Sequence, residues 1–358
     1  MPLWIAMWWS QLMVGVGPEK PHASRNLFLD GWFRWDSFFY FDIARRGYLD
    51  TPDAWDHRDT NFWPMFPLLL RGATFLTPGG DMAVAAFVLD NALLLAAIAL
   101  FDDVAERALG KERKELATTL LLVHPMAFYY SAGYSESSFL FFSLLTFFFG
   151  YRRRWLGAGI AAACAGASRA PGSAAFIGLV VLYLEEHGWS LKKIRPDFLF
   201  VLSGGLGALG YMLYLKLAFG DATAFAHGLS ARDWGRDVTF ARFLATMKAL
   251  ISVGSWPLDW IQATDTFHAL CLAIAAGVTL AGARRLRPHL TVFALVVLVM
   301  SVRYWSCAAR YTAPIFPLYL VGASVLAGRA RWTQLVTTAG LVLMMLFAFL
   351  YGHWYWVS

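Results

Sequence analysis

The chain has 358 residues, 58% hydrophobic and 15% charged, with 16 Trp, 29 Phe and a formal net charge of +6. A soluble domain carries about 25% charged and about 45–50% apolar residues. Here the shortage of charge runs the whole length, which excludes a soluble fold on a single anchor, a disordered chain, a collagen-like repeat and a disulfide-stapled secreted fold.

A bilayer crossing takes roughly 20 apolar residues, with about 17–25 tolerated. Period-2 alternation is missing, and backbone facing lipid must satisfy its own hydrogen bonds, so the crossings are helical. Eleven stretches qualify: 3–17, 82–101, 116–131, 136–150, 155–168, 172–187, 198–219, 264–282, 290–306, 313–327 and 332–351. The fold class is an all-α polytopic membrane protein, one transmembrane domain over 1–358. The first stretch lacks a basic leader and a small-residue cleavage site, so it reads as an anchor.

Residues 18–81 follow as a long loop holding the aromatic run 32–44. It is too apolar for a solvated loop and too charged for a span. Interfacial helices fit, with rings in the headgroup layer and Arg45-Arg46 reaching phosphates. Residues 62–77 are apolar but contain Pro64, Pro67 and Arg71. Parity makes them an interfacial or re-entrant element. Basic runs at 111–114, Arg152-Arg153-Arg154, Lys192-Lys193, Arg284-Arg285-Arg287 and Arg329 with Arg331 mark cytoplasmic loops. They interact with anionic headgroups and imply no nucleic-acid partner. The N-terminus is then cytoplasmic, and the C-terminus and the loops 18–81 and 220–263 are external. The second loop is also amphipathic, with Phe225, Trp234, Phe240, Phe243 and Trp256. Cys164, Cys271 and Cys307 have neither disulfide nor metal spacing and read as packing residues.

Ionisable groups bordering hydrocarbon usually face a cavity or a partner. The external border holds Asp36, Asp42, His124, Glu136, Arg169, Arg303 and Arg310. Asp36 could take a proton from a hydroxyl at the membrane surface, or pair with Arg34 or Arg45. Asp42 lies six residues on, about 240° around a helix, so the two carboxylates diverge. Arg169 opens a Ser-Arg-Ala-Pro-Gly break, and Arg310 precedes Tyr311. A guanidinium there suits a phosphate, or snorkels to bulk lipid. Glu136 begins a span and reads first as a helix cap. His124-Pro125 reads as structural, and Asp90-Asn91 as a polar contact between helices. There is no Gly-rich phosphate loop, zinc spacing or Gly-x-Ser-x-Gly.

Three ordered stretches resemble the PIG-V family of GT-C mannosyltransferases. One is Arg34-Trp35-Asp36-Ser37 through Ile43-Ala44, Gly47-Tyr48 and Asn61-Phe62 with Pro64, Phe66 and Pro67. The second is His124-Pro125, Phe128, Ser131, Tyr134-Ser135-Glu136-Ser137 and Phe139. The third is Ser168-Arg169-Ala170-Pro171-Gly172, and Arg310-Tyr311 with Pro314 and Pro317 is a looser fourth. His124 stands where many relatives carry Asn, and the chain is shorter than eukaryotic members, which suggests a prokaryotic relative.

The resemblance implies a GT-C-type bundle and an inverting transfer of mannose from a polyprenyl-phosphate-mannose donor to a glycolipid or other membrane acceptor. The active site would face the extracytoplasmic side of the plasma membrane, or the ER lumen in a eukaryote. Asp36 is the implied base, and Arg169, Arg310 and Arg303 the donor-phosphate ligands. Trp35, Asp42, Tyr134, Glu136, Tyr311 and His124 are the further substrate-binding candidates, with no metal and no cofactor expected. The open alternatives are another sugar from the same carrier, a protein acceptor, or a lipid transporter or flippase. Internal inverted repeats would favour transport, and the two halves here differ plainly in hydropathy and loop length.

Overall fold

The structure is a computed structural model describing residues 2–13, 20–48, 56–227, 260–302 and 307–357. Most of the 220–263 loop and Arg303 therefore lie outside the described residues. Among those described the chain is helical, with no strand.

Helix α1 (Pro2–Met13) precedes a short α2 (Leu27–Asp30), α3 (Asp36–Arg46), a 3-10 turn (Asp56–Asn61) and α4 (Met65–Thr74). The long helix α5 (Met82–Leu109) starts on Asp81, whose carboxylate accepts from the N–H groups of Ala83 and Val84. It stops at Gly110, whose N–H closes on the Glu106 carbonyl. Then come α6 (Lys111–Leu122), α7 (Glu136–Gly150), α8 (Trp155–Ser168), α9 (Ser173–Glu186), α10 (Phe198–Leu202), α11 (Leu206–Phe219) and α12 (Ala224–His227). The remainder is α13 (Trp260–Gly282), α14 (Pro288–Val302), α15 (Ala308–Thr312), α16 (Pro317–Leu326) and α17 (Ala330–Gly352).

Helix occupies all or part of each of the eleven apolar stretches. Among the described residues four helices are long and apolar enough to cross a membrane alone: Met82–Leu109, Phe198–Phe219, Ala263–Gly282 and Ala330–Gly352. In the bundle α7 lies between α5 and α8, α9 packs on α14, α16 on α6, and α1 on α17.

One expectation changes in the details. The stretch 116–131 is broken: α6 ends at Leu122, and a 3-10 turn runs Ala127–Ser131. Pro125 lacks an N–H and pushes its predecessor out of helical geometry. The aromatic run at 32–44 packs one face into the protein. Trp32 and Phe33 are wholly buried, and Tyr40 and Phe41 nearly so, while Asp42, Arg45 and Arg46 face outward. Helix α4 is too short to span at about 15 Å. It buries Phe66 and Leu70 and leaves Leu68 exposed, as an interfacial or re-entrant element would.

Ion pairs join members of three of the basic runs at one end of the bundle. Lys114 meets Glu106, Arg152 meets Asp103, Arg153 meets Glu186, and Arg287 meets both Glu185 and Glu186. The residues bordering the opposite helix ends converge elsewhere, on Asp36.

Candidate active site

The first element of the site is the turn that starts α3. Trp35 holds φ 54°, ψ −114°, an uncommon conformation for a bulky residue that its surroundings must enforce. Two tyrosine hydroxyls do so. The Asp36 N–H donates to Tyr134 Oη at 3.1 Å, and Tyr134 Oη donates to the Arg34 carbonyl at 3.0 Å. The Arg34 N–H donates to Tyr351 Oη at 3.0 Å. The guanidinium of Arg34, wholly buried, pairs with Asp30 at 3.0 Å and donates to the Gly352 carbonyl. Arg34 is thus committed to Asp30, and the Asp36–Arg34 pair considered from sequence does not form.

The second element, 131–137, is held from α5. The buried carboxylate of Asp90 accepts from the Gly133 N–H at 2.7 Å and from Ser137 Oγ. Asn91 accepts from Ser131 Oγ at 3.1 Å. Gly133 has φ +74°, and a Cβ there would come within 2.7 Å of the Phe33 ring. Only glycine fits both the backbone and the gap. This turn delivers Tyr134 to Asp36 and places Glu136 at the first position of α7.

The third element ends α8. Arg169 is extended, and the 3-10 turn Ala170–Gly172 redirects the chain into α9. A Cβ on Gly172 would lie 1.8 Å from the Ala165 carbonyl oxygen, which accounts for the glycine of the Ser-Arg-Ala-Pro-Gly motif. The fourth element is α15, which carries Arg310.

These elements assemble a chain of four charges. Arg310 Nη1 lies 2.9 Å from Asp36 Oδ2, Arg310 Nε 3.3 Å from Glu136 Oε1, and Arg169 Nη1 2.8 Å from the same Glu136 oxygen. All four are buried, with 7% (Asp36), 6% (Arg310), 1% (Glu136) and 7% (Arg169) exposure. Charges this dry survive only when paired. Aromatic faces complete the packing. The Arg169 guanidinium sits 4.3 Å from the Tyr311 ring centroid, and Arg310 lies 5.1 Å from that of Tyr134 and 5.4 Å from that of Tyr129. Glu136 Oε2 and Arg169 Nε are buried without a hydrogen-bond partner, an unfilled donor and acceptor inside the cluster.

Asp36, Glu136, Arg169, Arg310, Tyr134 and Tyr311 are therefore brought together. Glu136 does not cap α7 with its side chain as the sequence suggested, because its carboxylate turns to the two arginines. Trp35 borders the cluster and packs edge-on against Trp354 and Trp356. Asp42 points elsewhere, half exposed and 3.3 Å from Arg46. His124 accepts from the Met126 N–H and faces the Tyr319 ring, bracing the helix break. Arg303 lies outside the described residues. Sequence reasoning considered Arg34 only as a partner of Asp36 and did not single out Asp30, Tyr129, Tyr351 or Trp354. Among the described residues no group of three His, Cys, Asp or Glu side chains is placed to hold a metal ion.

A buried carboxylate beside two guanidiniums can accept a proton and bind a phosphate within one site. Solved structures share the fold that builds it. ArnT from Cupriavidus metallidurans, solved bound to undecaprenyl phosphate, matches 94% of this chain and 61% of its own length, at 15% identity and a TM-score of 0.54. The Archaeoglobus fulgidus oligosaccharyltransferase, solved in complex with Zn and sulfate, matches 99% of this chain and 53% of its own length, at 15% identity and a TM-score of 0.51. The chain thus spans between about half and three fifths of these proteins' lengths, and it shares their fold. The family model described as Mannosyltransferase (PIG-V) matches residues 18–172, the stretch carrying Asp36, Glu136 and Arg169. No curated protein matches the chain in sequence.

Proposed function

We propose that the protein transfers mannose from a polyprenyl-phosphate-mannose donor to a lipid-linked or other membrane acceptor on the extracytoplasmic face. The observation that carries this reading is the buried Asp36–Arg310–Glu136–Arg169 chain, three of whose members lie in the stretch matched by the mannosyltransferase family. The position of the cluster at the end opposite the basic runs supports the external face, since Lys and Arg loops stay cytoplasmic.

Asp36 takes the proton of an acceptor hydroxyl as that oxygen attacks the anomeric carbon. The bond from that carbon to the phosphate oxygen breaks on the opposite face, and the electron pair leaves with the polyprenyl phosphate. Configuration inverts, so a β-linked donor gives an α-mannoside. Arg169 and Arg310 donate charge-assisted hydrogen bonds to the phosphate as its charge grows. Because Arg310 touches Asp36, one guanidinium links the base to the phosphate site. Trp35, Tyr134 and Tyr311 supply aromatic walls for the sugar.

The test uses purified protein in lipid with short-chain polyprenyl-phosphate-mannose, the matching glucose donor and a panel of membrane glycolipids, with products read by mass spectrometry. The reading expects mannosylated lipid. A glucosylated product alone would overturn the sugar, and tight carrier binding with no transfer to any acceptor would overturn the enzyme in favour of a lipid transporter.

A further inference from the structure

A second charged site lies at the basic end of the bundle. Helix α9 leaves Arg169 behind and runs about 21 Å, at about 1.5 Å per residue, to Glu185 and Glu186. There a cavity of about 610 Å³ opens between the end of α9, Arg153 and the segment 192–195. Its acidic residues are already engaged: Glu186 by Arg153 at 2.8 Å and by Arg287 at 3.1 Å, and Glu185 by Arg287 at 3.1 Å and His289 at 2.9 Å. The nearby Asp197 accepts from Tyr183 Oη at 2.7 Å. Lys192, Lys193 and Arg195 line the same cavity and make no ion pair with any described residue.

The residues flanking these cations in sequence include exposed apolar ones. Trp189 is 58% exposed, Leu191 75% and Leu199 69%. The turn that presents Trp189 outward is a demanding one: Gly188 and Trp189 both have positive φ, and the Trp189 N–H is tied to the Leu184 carbonyl at 2.8 Å. A cationic hollow whose flanking segments expose aromatic and aliphatic side chains matches an amphiphile whose charged head enters the hollow while its tails lie along the helices.

We propose that this cavity binds the phosphate headgroup of an anionic phospholipid, distinct from the donor carrier at the other end. Lys192, Lys193 and Arg195 hold the phosphate, and Trp189 and Leu191 contact the glycerol and first methylenes. A free phosphate would use the cations and leave the apolar side chains unused.

The experiment titrates the full chain in neutral detergent with phosphatidylglycerol, phosphatidylcholine and inorganic phosphate, reading bound lipid by native mass spectrometry and protection by thermal shift. Wild type should retain phosphatidylglycerol over phosphatidylcholine. The Lys192→Gln/Lys193→Gln/Arg195→Gln variant should lose that preference by at least about tenfold, given the energy of each cation near an anionic headgroup. Trp189→Ala should weaken the lipid but leave inorganic phosphate unaffected. These side chains are exposed, so an unchanged melting temperature without lipid checks the fold. Equal retention by the triple variant, equal binding of phosphatidylcholine, or displacement of the lipid by inorganic phosphate at matched concentration would each overturn the proposal.

Discussion

Glu136 is the residue on which the charged chain turns, and Glu136→Gln tests it with little change in volume. One of its oxygens meets Arg169 at 2.8 Å and Arg310 at 3.3 Å, with the carboxylate 1% exposed. Two unit charges about 4 Å apart attract by about 4 kcal/mol at an effective dielectric constant of about 20. Two such pairs are lost, while the cost of burying the carboxylate is recovered. Breaking a buried pair on one side costs about 3–5 kcal/mol, because the remaining charge stays buried and unpaired. Here two guanidiniums remain, with only Asp36 to balance them. We therefore expect Glu136→Gln to lower stability by about 3 kcal/mol in total, the lower end of that range, because the amide still accepts a hydrogen bond and the carboxylate's burial cost is recovered. The assay is a double-mutant cycle with Arg169→Met, read by denaturant unfolding in mixed micelles. Contacting members of one network couple by about 0.5–3 kcal/mol, and the double variant should be more stable than the sum of the single losses. Additive losses would refute the ion pair.

Asp90→Ala leaves the Gly133 N–H and Ser137 hydroxyl without an acceptor, and should cost about 1–3 kcal/mol for each in the same unfolding assay. Gly133→Ala forces a side chain into a positive-φ site against Phe33, and should cost about 1–3 kcal/mol and reduce transfer through misplaced Tyr134. Arg169→Lys keeps the charge but loses the planar fork, so affinity for the carrier phosphate should fall by about tenfold, corresponding to about 1.4 kcal/mol, as measured with short-chain polyprenyl phosphate. Asp42→Asn should leave transfer within about twofold of wild type, since its side chain faces away and surface changes usually cost under about 0.5 kcal/mol.

Much of the helical pattern was legible because crossing length and basic loops are strong physical signals. Parity of the basic loops indicated that the proline-bearing stretch of α4 would not span. The break at His124-Pro125 was hidden inside an apolar run that reads as continuous. Asp36, Glu136, Arg169 and Arg310 each stood out as an ionisable group at a helix border, and the divergence of Asp42 followed from helical geometry. Their convergence was implied only by the family resemblance and not by the residues themselves, because Asp36 and Arg310 lie 274 positions apart and only packing brings them within bonding distance. Glu136 was misread because the first turn of a helix welcomes a carboxylate whatever its partner. Tyr351 and Trp354 escaped notice because aromatic residues at a span end ordinarily mark the membrane interface, whereas here they brace the turn that presents Asp36.

The most direct measurement is single-turnover transfer by wild type and Asp36→Asn with saturating polyprenyl-phosphate-mannose and acceptor, alongside donor affinity for both. Removal of a positioned base costs about 10²–10⁴-fold in rate, with donor affinity nearly unchanged because the amide preserves shape. Transfer at the wild-type rate by Asp36→Asn would contradict its role as the base.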